Sequence, residues 1–137
     1  LGFLEPHLLN NQWQINSAIQ IIPDNADKLK SLITEFANEK IDLIFTTGGT
    51  GIGKRDITPD VIAPMLDKEI PGIMEMIRIK CGERIPNALL SRSIAGTIGQ
   101  SLVYVLPGSV KAINDYMPEI LKTMEHALFM LHGIDVH

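Results

Sequence analysis

The chain has 137 residues, the size of one ordinary domain, and its 45% hydrophobic and 20% charged composition supports a single apolar core. A formal net charge of −4 with no basic block argues against nucleic acid as the main partner. The lone Cys81 excludes an internal disulfide and a multi-cysteine metal site and suits a reducing cytoplasm; no apolar run approaches the ~20 residues of a membrane span, and no signal peptide is visible.

The first clear element is "WQINSAIQII", 13 to 22, whose β-branched residues and partial alternation predict a strand. "PDN" breaks it, and Asp24 or Asn25 supplies a helix cap. Leu29, Leu32, Ile33 and Phe36 then recur at helical spacing, and Asn38 to Lys40 end that helix. "IDLIF", 41 to 45, reads as a buried parallel strand and runs directly into "TTGGTGIGKRDITPD", 46 to 60. Thr58 and Pro59 read as N-cap and first residue of a helix that Pro64 kinks or delays. Pro71 and Gly72 read as a break before a helix around Met74 to Cys81. Residues 88 to 108 read as two extended runs joined through Gly96 to Gln100. The last segment is helical, with Pro118 splitting or kinking it. Strands alternating with helices predict one three-layer α/β/α domain over 1–137, with ligands beyond the C-terminal strand ends.

Two glycine-bearing loops leave apolar strands: Thr46 to Gly51, and Pro107 to Ser109. If their strands are parallel neighbours, both loops lie on one sheet edge. Gly48, Gly49 and Gly51 allow close backbone approach to a ligand, and successive N–H groups make an anion nest, with Thr46, Thr47 and Thr50 adding hydroxyls. The alternative is a tight strand-to-helix turn. The spacing is neither the Walker A loop nor the G-x-G-x-x-G fingerprint. Asp56, beside such a nest, either holds Mg²⁺ against phosphate oxygens or pairs with Lys54 or Arg55, or caps a helix. Asp24 is a cap or a second carboxylate at the same edge. Ser91 bonds to backbone or faces the site, and Arg92 snorkels outward or pairs with phosphate. Ser109 and Lys111 stand on a first helical turn suited to phosphate. His7, His126, His132 and His137 lack metal-ligand spacing.

"TTGGTGIGKRDITPD", "KEIPGIMEMIR", "PNALLSRSIAG" and "LPGSVKAI", in this order, resemble the MoaB/Mog family of molybdopterin adenylyltransferases and relatives, including the G domain of gephyrin. The resemblance covers about Ile21 to Gly133. It implies a three-layer domain with a mostly parallel sheet, commonly trimeric and sometimes hexameric. It implies adenylylation of molybdopterin with ATP and Mg²⁺, release of pyrophosphate, and transfer of the product to a molybdate-inserting enzyme. It carries over Asp24 and Asp56 as the important aspartates, with Asp56 on the metal. Thr47, Gly48, Gly49, Thr50, Gly51, Ser91, Arg92, Pro107, Gly108 and Ser109 carry over as nucleotide and pterin contacts. The family opens with a strand and a Ser-Asp loop that nothing before Leu1 supplies, so residues 1 to 12 read as the tail of its first helix. "IPDN" also replaces the commoner IPD followed by an acidic residue.

Two other functions fit the same loops. One is a non-catalytic molybdopterin-binding or scaffold domain; the other is the related molybdate-insertion domain, against which "TGGTG" with "KRDITP" and "LSR" speaks. Apolar residues beyond one core's needs cluster in "IPGIMEMIRIKCG" and at Met124, Phe129, Met130 and Leu131, which predicts a subunit interface in a homotrimer or hexamer.

Overall fold

A computed structural model describes residues 1–134; His137 lies outside the described residues. The elements are α1 (Leu4–Asn10), α2 (Ala26–Asn38), β1 (Leu43–Thr47), α3 (Thr58–Ile62), β2 (Lys68–Glu69), α4 (Pro71–Arg84), β3 (Ile94–Ile98), β4 (Ser101–Leu106) and α5 (Val110–Leu131). The helix at Leu4–Asn10 matches the helical reading of the first segment.

The sheet order is β1-β4-β3-β2, and β4 is buried along its whole length. Alternation along β4 divides the core. Leu102, Tyr104 and Leu106 pack with Met74, Ile77, Tyr116, Ile120, Met124 and Leu128 of α4 and α5. Val103 and Val105 pack on the opposite face with Leu29, Ile33 and Ile62 of α2 and α3. The three layers are as expected, but the sheet is mixed rather than mostly parallel. Only β1 and β4 are parallel among the described residues, whereas β3–β4 and β2–β3 are antiparallel. The cause is local. Gly99 and Gln100 make a two-residue turn, with Gly99 at φ +55°, and a turn this short joins only antiparallel strands. Gly96, expected in the connection, lies inside β3.

Residues 13 to 22 form no strand. β-branched composition makes a strand only where a neighbouring backbone offers its N–H and C=O groups. Here Ile19 and Ile21 are 72% and 96% exposed. The start of the segment is anchored instead by Trp13, which stacks on Phe129 with ring centroids 5.6 Å apart and donates to Glu125 at 2.7 Å.

The prolines act as helix boundaries more than as breaks. Pro71 opens α4 rather than forming, with Gly72, a break before it, since its fixed φ suits a first turn. α3 stops at Ile62 and passes into a 3₁₀ turn, Ala63–Met65, that holds Pro64. Pro118 does not split α5, which runs unbroken for 22 residues. Tyr116, Met117, Ile120 and Met124, buried on both sides of the proline, hold the helix together despite the missing N–H.

Asn25, not Asp24, caps α2. It has extended dihedrals and its side chain accepts from the Lys28 N–H at 3.0 Å. Asn25→Ala is therefore expected to cost about 1 kcal/mol in urea unfolding. Asp24→Asn is expected to stay within about 0.5 kcal/mol, as for an exposed side chain that makes no capping bond.

Candidate functional site

The parallel register places Thr47 of β1 beside Leu106 of β4, so both strands release their loops at the same edge. The Gly48 N–H extends the ladder by donating to the Leu106 carbonyl at 2.9 Å. Gly48 and Gly49 have φ of +96° and +67°, a region that L side chains rarely adopt. A Cβ on Gly108 would stand 3.1 Å from the Gly48 Cα, so the two loops touch through glycines. After Gly108 and exposed Ser109, α5 begins. The Ser109 hydroxyl accepts from the Ala112 N–H at 3.1 Å, which leaves the earlier amides of that turn, with exposed Lys111, without a helical acceptor.

The first loop is fixed through its carbonyls. The Thr58 hydroxyl donates to Gly48 O at 3.0 Å, the Thr58 N–H to Gly49 O at 3.1 Å, and the Arg92 N–H to Thr50 O at 2.8 Å. Thr58 is thus not the cap of α3, which starts at Thr58 with no side-chain cap; its hydroxyl ties the loop instead. The N–H groups of Gly49, Thr50 and Gly51 donate to no protein acceptor among the described residues. Bound carbonyls and free amides are the polarity an anion requires. Thr47 is exposed at the mouth, Thr50 is buried, and the buried Thr46 hydroxyl has no partner among the described residues.

Asp56 is half-buried in a notch lined by glycine. Its Oδ2 accepts from the Gly53 N–H at 2.8 Å. A Cβ would fall 2.7 Å from Oδ2 at Gly51 and 3.0 Å from it at Gly53, so side chains at either position would displace the carboxylate. Asp56 forms no ion pair with Lys54 or Arg55 among the described residues, and it caps no helix. Its Oδ1 accepts no hydrogen bond among the described residues. No group of three or more His, Cys, Asp or Glu side chains that could enclose a metal occurs among the described residues. A lone Asp beside free amides suits a cation shared with phosphate oxygens rather than a cage of protein ligands.

Asp24 is exposed before α2 and bonds to nothing in the loop among the described residues. Ser91 is turned to its own chain, with its hydroxyl 2.9 Å from that of Ser93. Arg92 reaches back to the first loop. Its Nε donates to Gly51 O at 2.7 Å, its Nη2 to Asp56 O at 2.5 Å, and its Nη1 to Asp60 Oδ1 at 2.8 Å. The hydrogen bond from Arg92 holds the Asp60 carboxyl below the usual carboxylate range, and the same bond raises Arg92. The sequence gives Gly53 and Asp60 no role of their own and Thr58 only that of a cap. The Gly-x-x-Asp spacing of Gly53 and Asp56 is the one local signal, since an Asp side chain often binds a nearby backbone N–H in a turn. A groove of about 550 Å³ lies elsewhere, between α2 and α3, lined by Lys30, Thr34, Asp60, Val61 and Met65, and includes none of the loop glycines.

Residues 7–126 match the sequence model of a family described as a probable molybdopterin binding domain. Gephyrin of Dictyostelium discoideum is 40% identical over 115 residues, 83% of this chain and 16% of that protein. Molybdenum cofactor biosynthesis protein B of Staphylococcus carnosus is 38% identical over 104 residues, 74% of this chain and 61% of that protein. The chain thus spans less than two thirds of either relative. The molybdopterin biosynthesis Mog protein of Mycobacterium ulcerans superposes with a TM-score of 0.83 at 30% identity, covering 93% of this chain and 83% of that one. Sequence and fold agree across nearly the whole domain, and the chain belongs to the MoaB/Mog family of molybdopterin-binding domains, to which the gephyrin G domain is related.

Proposed function

We propose that this domain adenylylates molybdopterin in molybdenum cofactor biosynthesis. The terminal phosphate oxygen of molybdopterin attacks the α-phosphorus of ATP; a new P–O bond forms, the bond to the β-phosphate oxygen breaks, and pyrophosphate leaves. The observation that carries this reading is the contact of two anion-suited loops at Gly48 and Gly108. Joining two phosphorylated substrates requires two phosphates held side by side. The attacking phosphate, with a second pKa of about 6, is largely dianionic at neutral pH and needs no general base.

Catalysis is then positioning and electrostatics. The amides of Gly49, Thr50 and Gly51 hold one phosphate group, with Thr47 at the mouth. The first turn of α5, with Pro107, Gly108, Ser109 and Lys111, takes the other. Exposed Lys54 and Arg55 offset charge on the departing pyrophosphate. Asp56 would hold Mg²⁺ against the phosphate oxygens, where the ion neutralises their charge. Asp24, carried over by the resemblance, would be a second acidic group for the metal or nucleotide, its capping role being taken by Asn25. Ser91 and Arg92 border the site. A molybdate-inserting enzyme would consume the product. No helix among the described residues is long and apolar enough to cross a membrane, and a cytoplasmic place suits these substrates.

α4 turns apolar side chains outward: Met76 and Ile79 are each 60% exposed, and Leu89 and Leu90 are exposed in the 3₁₀ turn that follows. We assign this face to contacts between copies in a trimer, or in a hexamer of two trimers. Light scattering at micromolar concentration should give three or six times the 15.1 kDa chain mass. A single or doubled mass would refute the ring.

Asp56→Asn tests the chemistry. Asn keeps an acceptor for the Gly53 N–H, so the melting temperature should hold. Pyrophosphate release from ATP with Mg²⁺ and molybdopterin should fall about 10²- to 10³-fold, the usual scale for losing one electrostatic group at a reacting phosphate or acyl centre. Undiminished release would remove Asp56 from the mechanism.

A further inference from the structure

The six residues from Gly51 to Asp56 carry most of the charge beside the nest: Lys54, Arg55 and Asp56. They belong to no helix or strand. Within the segment, Gly53 and Asp56 bond to each other twice, Gly53 N–H to the carboxylate and Asp56 N–H to Gly53 O at 3.1 Å. Those two bonds shape the turn but do not fix it to the rest of the domain.

Arg92 makes that attachment. Its Nε and Nη2 donate to Gly51 O and Asp56 O, the first and last carbonyls of the segment. One planar group therefore sets the distance between the two ends. Nη1 is held by Asp60, five residues after Arg55 on α3. The base of the side chain is equally fixed. The Arg92 N–H is bonded to Thr50 O, and the next residue, Ser93, is buried with its carbonyl accepting from Arg78 of α4 at 2.7 Å. The clamp runs from α4 through residues 91–93 to the turn that bears Asp56.

We propose that Arg92 is a positioning residue: together with Asp60 it holds Gly51 and Asp56 at the spacing that the reacting phosphates require, and it acts on the substrates through the loop rather than as a phosphate ligand. This rests on the nucleotidyl-transfer reading of the site. Lys is a point charge on a flexible stem and does not reproduce a fork that spans two carbonyls and a carboxylate.

The test compares Arg92→Lys and Asp60→Asn with the unmodified protein, by thermal melting, amide hydrogen exchange and steady-state pyrophosphate release. In Arg92→Lys the amides of Gly53, Asp56 and Thr58 should exchange roughly tenfold faster or more, as local opening becomes easier. The amides of β4 should be unchanged. kcat should fall about 100-fold, the scale of a small misplacement of reacting groups, while KM for ATP moves by less than about threefold. Asp60→Asn should shift both readouts the same way and less, and it serves as the decisive variant if Arg92→Lys fails to fold. Raised KM with unchanged kcat and unchanged exchange would mark Arg92 as a direct phosphate ligand and overturn the proposal. Unchanged kinetics in both variants would overturn it too. If the unmodified protein releases no pyrophosphate, the adenylylation reading fails, and the exchange at Gly53, Asp56 and Thr58 still decides whether Arg92 clamps the loop.

Discussion

The parallel pairing of β1 with β4 is the constraint on which the site depends. Had these strands been antiparallel, the loop after Thr47 and the loop after Leu106 would leave from opposite ends of the sheet. Paired as they are, the loops meet at Gly48 and Gly108. The core fixes this register. A slip by one residue would turn Ile44 away from Leu29 and Ile33, and would break the stack of Phe45 on Tyr104, whose ring centroids are 5.1 Å apart. β4 is packed on both faces, so neither strand slides without disrupting one apolar layer. Core packing and loop placement are therefore one problem.

Rigidity at the strand ends comes from hydrogen bonds rather than from burial. The carbonyls of Gly48, Gly49, Thr50, Gly51, Gly53 and Asp56 each accept a bond from the protein. Acceptors that face inward leave the amide donors of Gly49, Thr50 and Gly51 without a protein partner among the described residues, the polarity an anion would need. A surface of net charge −4 can in this way present a locally positive mouth without a basic block. The arrangement also gives the glycines at 51 and 53 a role that needs no ligand. They make room for the Asp56 carboxylate.

Much of this was legible in the sequence because it rests on local patterns. "IDLIF" followed by glycine placed the first loop at a strand end, and "LVYVL" followed by Pro-Gly placed the second. Their meeting depended on strand direction, which apolar runs do not encode. The mixed sheet was missed because the Gly99–Gln100 turn is only two residues long within a run of apolar residues. The strand expected at 13 to 22 was misread because β-branched composition reports a preference and not the presence of a partner. The cap of α2 was open between Asp24 and Asn25, which differ by one position and share the same chemistry. Arg92 and Asp60 lie 32 residues apart, and no spacing rule links them.

A crystal structure of the chain grown with ATP and Mg²⁺ decides whether the joined loops bind phosphates. Phosphate density is expected within hydrogen-bond distance of the Gly49, Thr50 and Gly51 amides, with a cation between a phosphate oxygen and the free oxygen of Asp56. Nucleotide bound elsewhere, such as in the groove between α2 and α3, with the loop amides facing only water, would contradict it.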